Sequence, residues 1–133
     1  MKRLAIATLG VLAMASPALA HHPFDAEFDQ KSPVVLTGTV KQVDWILPHV
    51  LITLDVKDKA GKVQTWKLEA GSPDDLKKAG WKDATSLAKG SQITVHGYKA
   101  KLKNEPYTIS ARSLDLPGGK KISAAANDGG PKT

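Results

Sequence analysis

The sequence predicts a mainly β domain: a small five-stranded Greek-key barrel of the OB-fold type, with one short helix between the third and fourth strands. Apolar and polar residues alternate in five separate segments, a period of two that is typical of half-buried strands. A helix-start pattern interrupts these segments once, after the third, and this order of elements is that of an OB-type barrel. An SH3-like barrel or a split sandwich is the alternative.

The first 20 residues are typical of a secretory signal peptide. Lys2 and Arg3 precede an apolar run over residues 4–14, and a small-residue Ala-x-Ala cleavage site ends at Ala20. The run is about a dozen residues long, shorter than the roughly 20 that a membrane-spanning helix needs. An uncleaved anchor is the alternative. We expect removal of residues 1–20, a periplasmic or secreted protein, and no membrane span in the mature chain.

Composition narrows the possible partners. The chain of 133 residues carries a formal net charge of +6, and loss of Lys2 and Arg3 lowers that charge to +4. The remaining positive charge is spread over strand-like and loop-like segments, so we expect no nucleic-acid or membrane patch. The sequence contains no Cys, which excludes disulfides and thiolate metal ligands within it. We expect a single small domain that is monomeric.

Residues 21–33 are predicted to form an N-terminal arm. Phe24 and Phe28 stand four residues apart among acidic side chains, so the arm is either loose or contains one helical turn pinned by the two rings. Pro33 is expected to end it. The barrel domain is then predicted over residues 34–117.

The first strand begins at Val34 and is predicted to bend. Gly38 lies within it, which favours a sharp bend or a close backbone approach. The apolar parity slips before Val43, and one extra residue near Lys41 and Gln42, a β-bulge, would restore it. A long, bent first strand is what a small barrel needs in order to close.

Two further strands and a helix follow. Residues 50–56 and 63–69 alternate, and Trp66 in the third strand is expected in the core. Ser72 can cap a helix that has Pro73 at its first position, and Gly80 is expected to end it. We expect the following tryptophan, at position 81, to cover the end of the core.

The fourth and fifth strands are predicted over residues 92–99 and 107–116, joined by a polar loop. A Pro-Gly-Gly sequence then breaks the pattern. Residues 118–133 are rich in Ala, Gly, Asn and Lys, a composition that predicts a disordered tail.

Several short motifs together resemble the DUF6152 family of small exported bacterial proteins. They are His21-His22-Pro23-Phe24, residues 35–40, Val43-Asp44-Trp45, Pro48-His49-Val50, Gly71-Ser72-Pro73, Gly80-Trp81 and residues 90–98. The sequence departs from the family pattern at Pro23 and Leu47. The resemblance covers nearly all of the expected mature chain, and it implies secretion, a small β-barrel-like domain and no established activity.

Four histidines are candidate metal ligands. Cleavage after Ala20 would give His21 a free α-amine, which could chelate one ion together with its imidazole, and His22, His49 or His96 could add a third nitrogen. Nitrogen ligands in a tetragonal arrangement suit Cu(II) or Ni(II). Each histidine also has a simpler interpretation. The first two would start a flexible arm, His49 would be a turn residue whose ring bonds to backbone, and His96 would be an exposed strand residue.

Other candidate chemistry is limited. Trp45 and Tyr98 are candidates for a ligand-binding face, while paired catalytic carboxylates and a nucleophile-elbow motif are lacking. We therefore expect an exported, non-catalytic β-barrel protein that binds a small ligand or an envelope protein. The alternative is a periplasmic protein that binds Cu(II) through the mature N-terminal His and further imidazoles.

Overall fold

The computed structural model describes residues 22–132 and shows a mainly β domain with little helix. Its helical segments are α1 (Phe24–Glu27), α2 (Pro73–Lys78) and a 3-10 turn at Ala84–Ser86. The strands found among the described residues are β1 (Phe28–Asp44), β2 (Leu51–Lys57), β3 (Val63–Glu69), β4 (Gln92–Ala100), β5 (Thr108–Asp115) and β6 (Lys121–Ser123). The predicted fold class is confirmed, with one strand more than predicted.

The six strands form one sheet that closes on itself. Their order is β3-β2-β1-β4-β5-β6, and an additional parallel pairing joins Lys67–Glu69 of β3 to Thr108–Ser110 of β5. Strands β1 to β5 therefore form a ring, whereas β6 lies outside it and pairs with β5 alone. This strand order, with α2 between β3 and β4, is the OB-type order that the sequence predicts.

The bend in β1 allows one strand to serve two neighbours. β1 pairs with β4 over Pro33 to Thr39 and with β2 over Thr39 to Asp44. The register with β2 shifts between Val40 and Gln42, as a β-bulge at Lys41 requires. At Gly38 a Cβ atom would lie 2.5 Å from the carbonyl oxygen of Asp55, so only glycine permits this close crossing. Both sequence predictions for β1 are confirmed.

The segment predicted as an arm over residues 21–33 is more regular than expected where the structure describes it. Residues 24–27 form the single turn of α1, and Phe24 stacks on Phe28 with ring centroids 5.7 Å apart. β1 then begins at Phe28, and Pro33 lies inside the strand rather than ending the arm. The strand can include proline because Pro33 lies at a register shift in the β1–β4 pairing, where its missing N–H is tolerated.

The core fills the inside of the ring, and α2 lies at one end of it. Leu76 of α2 and Trp81 are buried there with aliphatic residues from the strands. Ser72 and Asp75 cap the helix reciprocally, since each side chain accepts a hydrogen bond from the other's backbone N–H. Gly80 has a φ of 99° just after the helix, a conformation that favours glycine and ends the helix as predicted.

The prediction of a disordered tail over residues 118–133 is wrong for the part that the structure describes. Residues 121–123 form β6, and Ala124 is fully buried. The indole N–H of Trp81 donates to the carbonyl oxygen of Ser123 at 2.8 Å, and the backbone N–H of Ala124 donates to the carbonyl oxygen of Arg112. Contacts with distant residues order this tail although its composition is typical of a flexible one.

The described residues include no helix that is both long enough and apolar enough to cross a lipid bilayer.

Candidate functional site

His49 follows the turn between β1 and β2 and bonds to β3. Its Nδ1 lies 3.1 Å from the carbonyl oxygen of Ala70, which can only accept, so Nδ1 carries a hydrogen. Its Nε2 lies 3.4 Å from Oε1 of Glu69. Burial raises the pKa of Glu69, as do the negative charges of Glu27 and Asp128, while His49 lowers it. His49 and Glu69 form a half-buried pair that joins the β1–β2 turn to β3.

His96 pairs with a different carboxylate. It lies on β4, and its Nε2 is 2.9 Å from Oδ2 of Asp115 on β5. The other oxygen of Asp115 accepts a hydrogen bond from Nζ of Lys121 on β6 at 2.7 Å. The hydrogen bond from Lys121, followed by that from His96, lowers the pKa of Asp115. This half-exposed cluster links three strands at the surface.

The strand register separates two of the predicted metal ligands, His49 and His96. His96 lies opposite Val35 of β1, whereas the strand that follows His49 begins opposite Asp44, nine residues further along β1. Within residues 22–132 no three His, Cys, Asp or Glu side chains form a group that could hold a metal ion. His22 is exposed, and His21 lies outside the described residues. Cu(II) binding at the mature N-terminus stays a prediction.

The two aromatic residues predicted for a ligand face are both half-buried against other rings. Trp45 packs on Trp81 with centroids 6.3 Å apart, next to the core. Tyr98 meets the edge of Phe24 at 5.6 Å. The prediction that they form a ligand-binding face stays a prediction.

An open groove lies instead beside β2 and β3. It has a volume of about 420 Å³ and runs between the outer side of these strands and the β4–β5 loop, residues 101–107. The residues that line it are Thr53, Thr65, Trp66, Lys67, Asn104, Glu105, Pro106, Tyr107 and Thr108. The outer side of the second and third strands and the neighbouring loops are where OB-type folds bind oligonucleotides and oligosaccharides. We refer to this feature as the β2–β3 groove.

An aromatic pair forms one wall of the β2–β3 groove. The ring of Tyr107 meets that of Trp66 edge to face, with centroids 5.3 Å apart. Tyr107 is 45% exposed, whereas Trp66 is half-buried and packs against the core, as the sequence predicts. Sequence reasoning did not single out Tyr107 as a site residue. The available signal was its position after Pro106, at the end of a loop that borders the OB-type binding face.

The charged groups along the groove are paired with each other. Nζ of Lys67 lies 3.4 Å from Oε2 of Glu105, a bond that joins β3 to the β4–β5 loop. Next to it on the same face, Asp55 accepts a hydrogen bond from the hydroxyl of Thr65 at 2.7 Å and lies 3.6 Å from Nζ of Lys41. The groove is therefore polar but carries little net charge.

The outer surface of β5, the strand that pairs with β3, is covered beyond the groove. The guanidinium of Arg112 is fully buried, and its two terminal nitrogens donate to the two carboxylate oxygens of Asp128 at 3.0 and 3.1 Å. The same guanidinium lies 4.4 Å from the centroid of the Phe24 ring. Sequence reasoning did not identify Arg112, because nothing in its local sequence distinguishes it from a surface arginine.

The comparisons with known proteins show the family of the chain and leave its activity open. No curated protein matches the chain. A family model described as a family of unknown function, DUF6152, matches residues 8–107, a stretch that includes β1 to β4 and the β2–β3 groove up to Tyr107. The chain therefore belongs to the DUF6152 family, as its motifs predict.

Proposed function

We propose that this protein is an exported, non-catalytic binding protein that holds its ligand in the β2–β3 groove. The observation that carries the proposal is the position of Tyr107, an aromatic side chain that is 45% exposed beside an open polar groove. Exposed aromatic rings next to a few hydrogen-bonding groups are typical of ligand sites. The groove volume of about 420 Å³ lies within the roughly 300–1,000 Å³ of small-ligand sites.

The covered side of the ring supports the same choice. The outer surface of β5 is occupied by the protein's own arm and tail, through Phe24 and Asp128. The outer surface of β2 and β3 has no such cover among the described residues. A ligand can reach the second surface without displacing any part of the chain that the structure describes.

The charges in the groove favour binding over catalysis. Lys67 and Glu105 form an ion pair with each other, and both side chains are solvent-exposed. A catalytic acid or base usually lies in a buried site or beside a like charge, whereas these two side chains are exposed and oppositely charged. The Lys67–Glu105 pair instead presents one hydrogen-bond donor and one acceptor in fixed positions, which can orient a ligand.

Export rests on the signal-peptide pattern of residues 1–20. We expect the protein in the periplasm or the medium, with His21 as its first residue. Mass spectrometry of the protein isolated from separated cell fractions tests this expectation. A cytoplasmic chain that still carries residues 1–20 would contradict export.

Fragment soaking of crystals tests the binding site and does not require the natural ligand to be identified first. Crystals of the naturally processed protein are soaked with a chemically diverse set of small polar and aromatic fragments. The proposal expects the bound fragments to concentrate in the β2–β3 groove, in contact with Tyr107. Fragments that concentrate elsewhere, or that leave the groove empty in all crystals, would overturn it.

A further inference from the structure

We infer that the β2–β3 groove takes a neutral, hydroxyl-rich chain, a stretch of uncharged oligosaccharide. The inference rests on the proposed function and specifies the class of ligand. Three features of the described groove carry it: the balance of charge, the aromatic wall, and the side chains that can exchange hydrogen bonds.

The charge balance argues against an anionic ligand. Of the described residues that line the groove, Lys67 and Glu105 are the charged ones, and they lie 3.4 Å apart. Single-stranded nucleic acid, the other ligand class of OB-type folds, is held in a positively charged groove that tracks its phosphates. A phosphate here would compete with Glu105 for the one lysine, although the whole chain has a net charge of +6.

The aromatic wall suits a sugar ring. Trp66 supports the ring of Tyr107 edge to face and so fixes its orientation. A pyranose ring has apolar C–H faces and polar hydroxyl edges, so it can stack one face on Tyr107 while its edges point toward polar groups. Tyrosine also carries its own hydroxyl, which can donate or accept a hydrogen bond at the rim.

The polar side chains provide both donors and acceptors. Within the described part of the chain, the side chains of Thr53 and Asn104 have no hydrogen-bond partner in the protein, so their groups are available to a ligand. The hydroxyl of threonine and the amide of asparagine each donate and accept, as sugar hydroxyls do. Such a mixed set of groups matches a neutral polyol better than a ligand that only accepts or only donates hydrogen bonds.

The space in and beside the groove indicates room for more than one sugar unit. The groove has a volume of about 420 Å³, and its lining includes Thr53 and Thr65 on the strands and Asn104 and Tyr107 in the loop. One end of the groove continues toward a smaller cavity of about 160 Å³, and Lys67, Glu105 and Thr108 line both spaces. A chain of linked sugars could follow this line, whereas a single sugar would occupy a part of it.

Titration of the naturally processed protein tests the inference. The probes are chitotetraose, cellotetraose and maltotetraose, with an anionic heparin tetrasaccharide and an eight-residue oligothymidylate for comparison. Binding is followed by chemical shifts of the backbone amides. We expect at least one neutral probe to bind, with the shifts concentrated in residues 53–67 and 104–108, and weaker or no binding of the two anionic probes.

Three variants assign the effect to the aromatic wall. Tyr107→Ala is expected to weaken binding of the neutral probe about tenfold or more, and Tyr107→Phe to keep it within about threefold. Val35→Ala is the matched control, since Val35 is an exposed apolar residue on β1 that does not line the groove. An unchanged affinity in Tyr107→Ala would overturn the inference.

The experiments distinguish a wrong ligand class from a wrong binding site. If fragments occupy the groove but no neutral tetrasaccharide shifts its amides, or if an anionic probe binds more tightly, the ligand class is wrong and the binding site stands. If neither fragments nor tetrasaccharides use the groove, the proposed function is wrong as well.

Discussion

The outer surfaces of the neighbouring strands β3 and β5 each carry an ion pair with a later segment of the chain, yet the two pairs differ in burial. On β5, Arg112 is 0% exposed and its partner Asp128 in the tail is 7% exposed. On β3, Lys67 and its partner Glu105 in the β4–β5 loop are 46% and 38% exposed. The first pair lies beneath the terminal segments of the domain, and the second lines an open groove.

This difference in burial shows that one part of the surface is covered by the terminal segments while another part stays open. Asp128 accepts from Arg112 through its side chain and from Phe24 through its backbone carbonyl, so it joins strand, arm and tail in one place. Both terminal segments therefore stabilise the same side of the ring. The groove beside β2 and β3 has no such cover among the described residues.

The largest effect on stability is expected to distinguish variants of the buried ion pair from variants of the exposed one. Asp128→Asn leaves the buried guanidinium of Arg112 without a counter-charge, and we expect it to lower the free energy of unfolding by about 3–5 kcal/mol. Glu105→Gln, the matched change in the exposed pair, is expected to cost less than about 1 kcal/mol. Chemical denaturation followed by tryptophan fluorescence measures both.

A double variant gives this prediction a second test. Arg112→Met combined with Asp128→Asn removes the unpaired charge, so it should recover most of the stability that Asp128→Asn loses. Equal losses for Asp128→Asn and Glu105→Gln would contradict the distinction between a covered and an open side.

The next largest effect on stability is expected from a substitution in the tail. A Cβ atom at Gly130 would lie 2.0 Å from Nη2 of Arg112 and 2.6 Å from the Phe24 ring, so Gly130→Ala must displace one of them. We expect a loss of about 1–3 kcal/mol, as overpacked interiors show. Asn127→Ala, an exposed change in the same segment, should stay within about 0.5 kcal/mol. Thermal unfolding compares the two, and a tail that is disordered in solution would make them equal.

The pair of His49 and Glu69 is tested by measuring how the free energy of unfolding changes with pH. Because the pKa of Glu69 is raised in the folded state, its contribution to stability is complete below the ordinary value of 4.5 and is lost as the pH rises through the raised pKa. Glu69→Gln should remove this loss and flatten the stability profile above pH 4.5. Denaturation over a pH series measures it, and identical profiles for the two proteins would contradict the burial of this carboxyl.

The smallest effect is expected on the open side. Tyr107→Ala removes a ring that is 45% exposed, and only its edge contact with Trp66 is lost. We expect a loss of about 1 kcal/mol or less, within the range of a single aromatic pair. A loss as large as that of Asp128→Asn would mean that Tyr107 belongs to the core, and it would remove the main support for a ligand site there.

The sequence was sufficient to predict features that depend on neighbouring residues. The bulge at Lys41 is predicted because the alternation of apolar and polar residues shifts by one position there. The cap at Ser72 is predicted from the residues that follow it. The strand order and helix position then follow from the order of these local signals. Similarly, the interpretation of His49 as a turn residue bonded to backbone is confirmed by its bond to Ala70.

Features that depend on distant contacts could not be predicted in this way. The tail is ordered by Arg112 and Trp81, which lie far from it in sequence. The open groove could not be predicted either, because it depends on which side of the ring the terminal segments leave uncovered. Tyr107 has the same local pattern as any strand-edge tyrosine until the position of the β4–β5 loop is known.

The most direct test of the central claim compares ligand contacts on the two sides in solution. Amide shifts are recorded for the naturally processed protein with the fragments, for Thr65→Arg, which fills the groove, and for Ser123→Arg, an equivalent change at an exposed position on β6. We predict that shifts concentrate in residues 53–67 and 104–108, disappear in Thr65→Arg and persist in Ser123→Arg. Shifts concentrated in residues 110–113 and 122–130, or unchanged by Thr65→Arg, would contradict the assignment of binding to the open side.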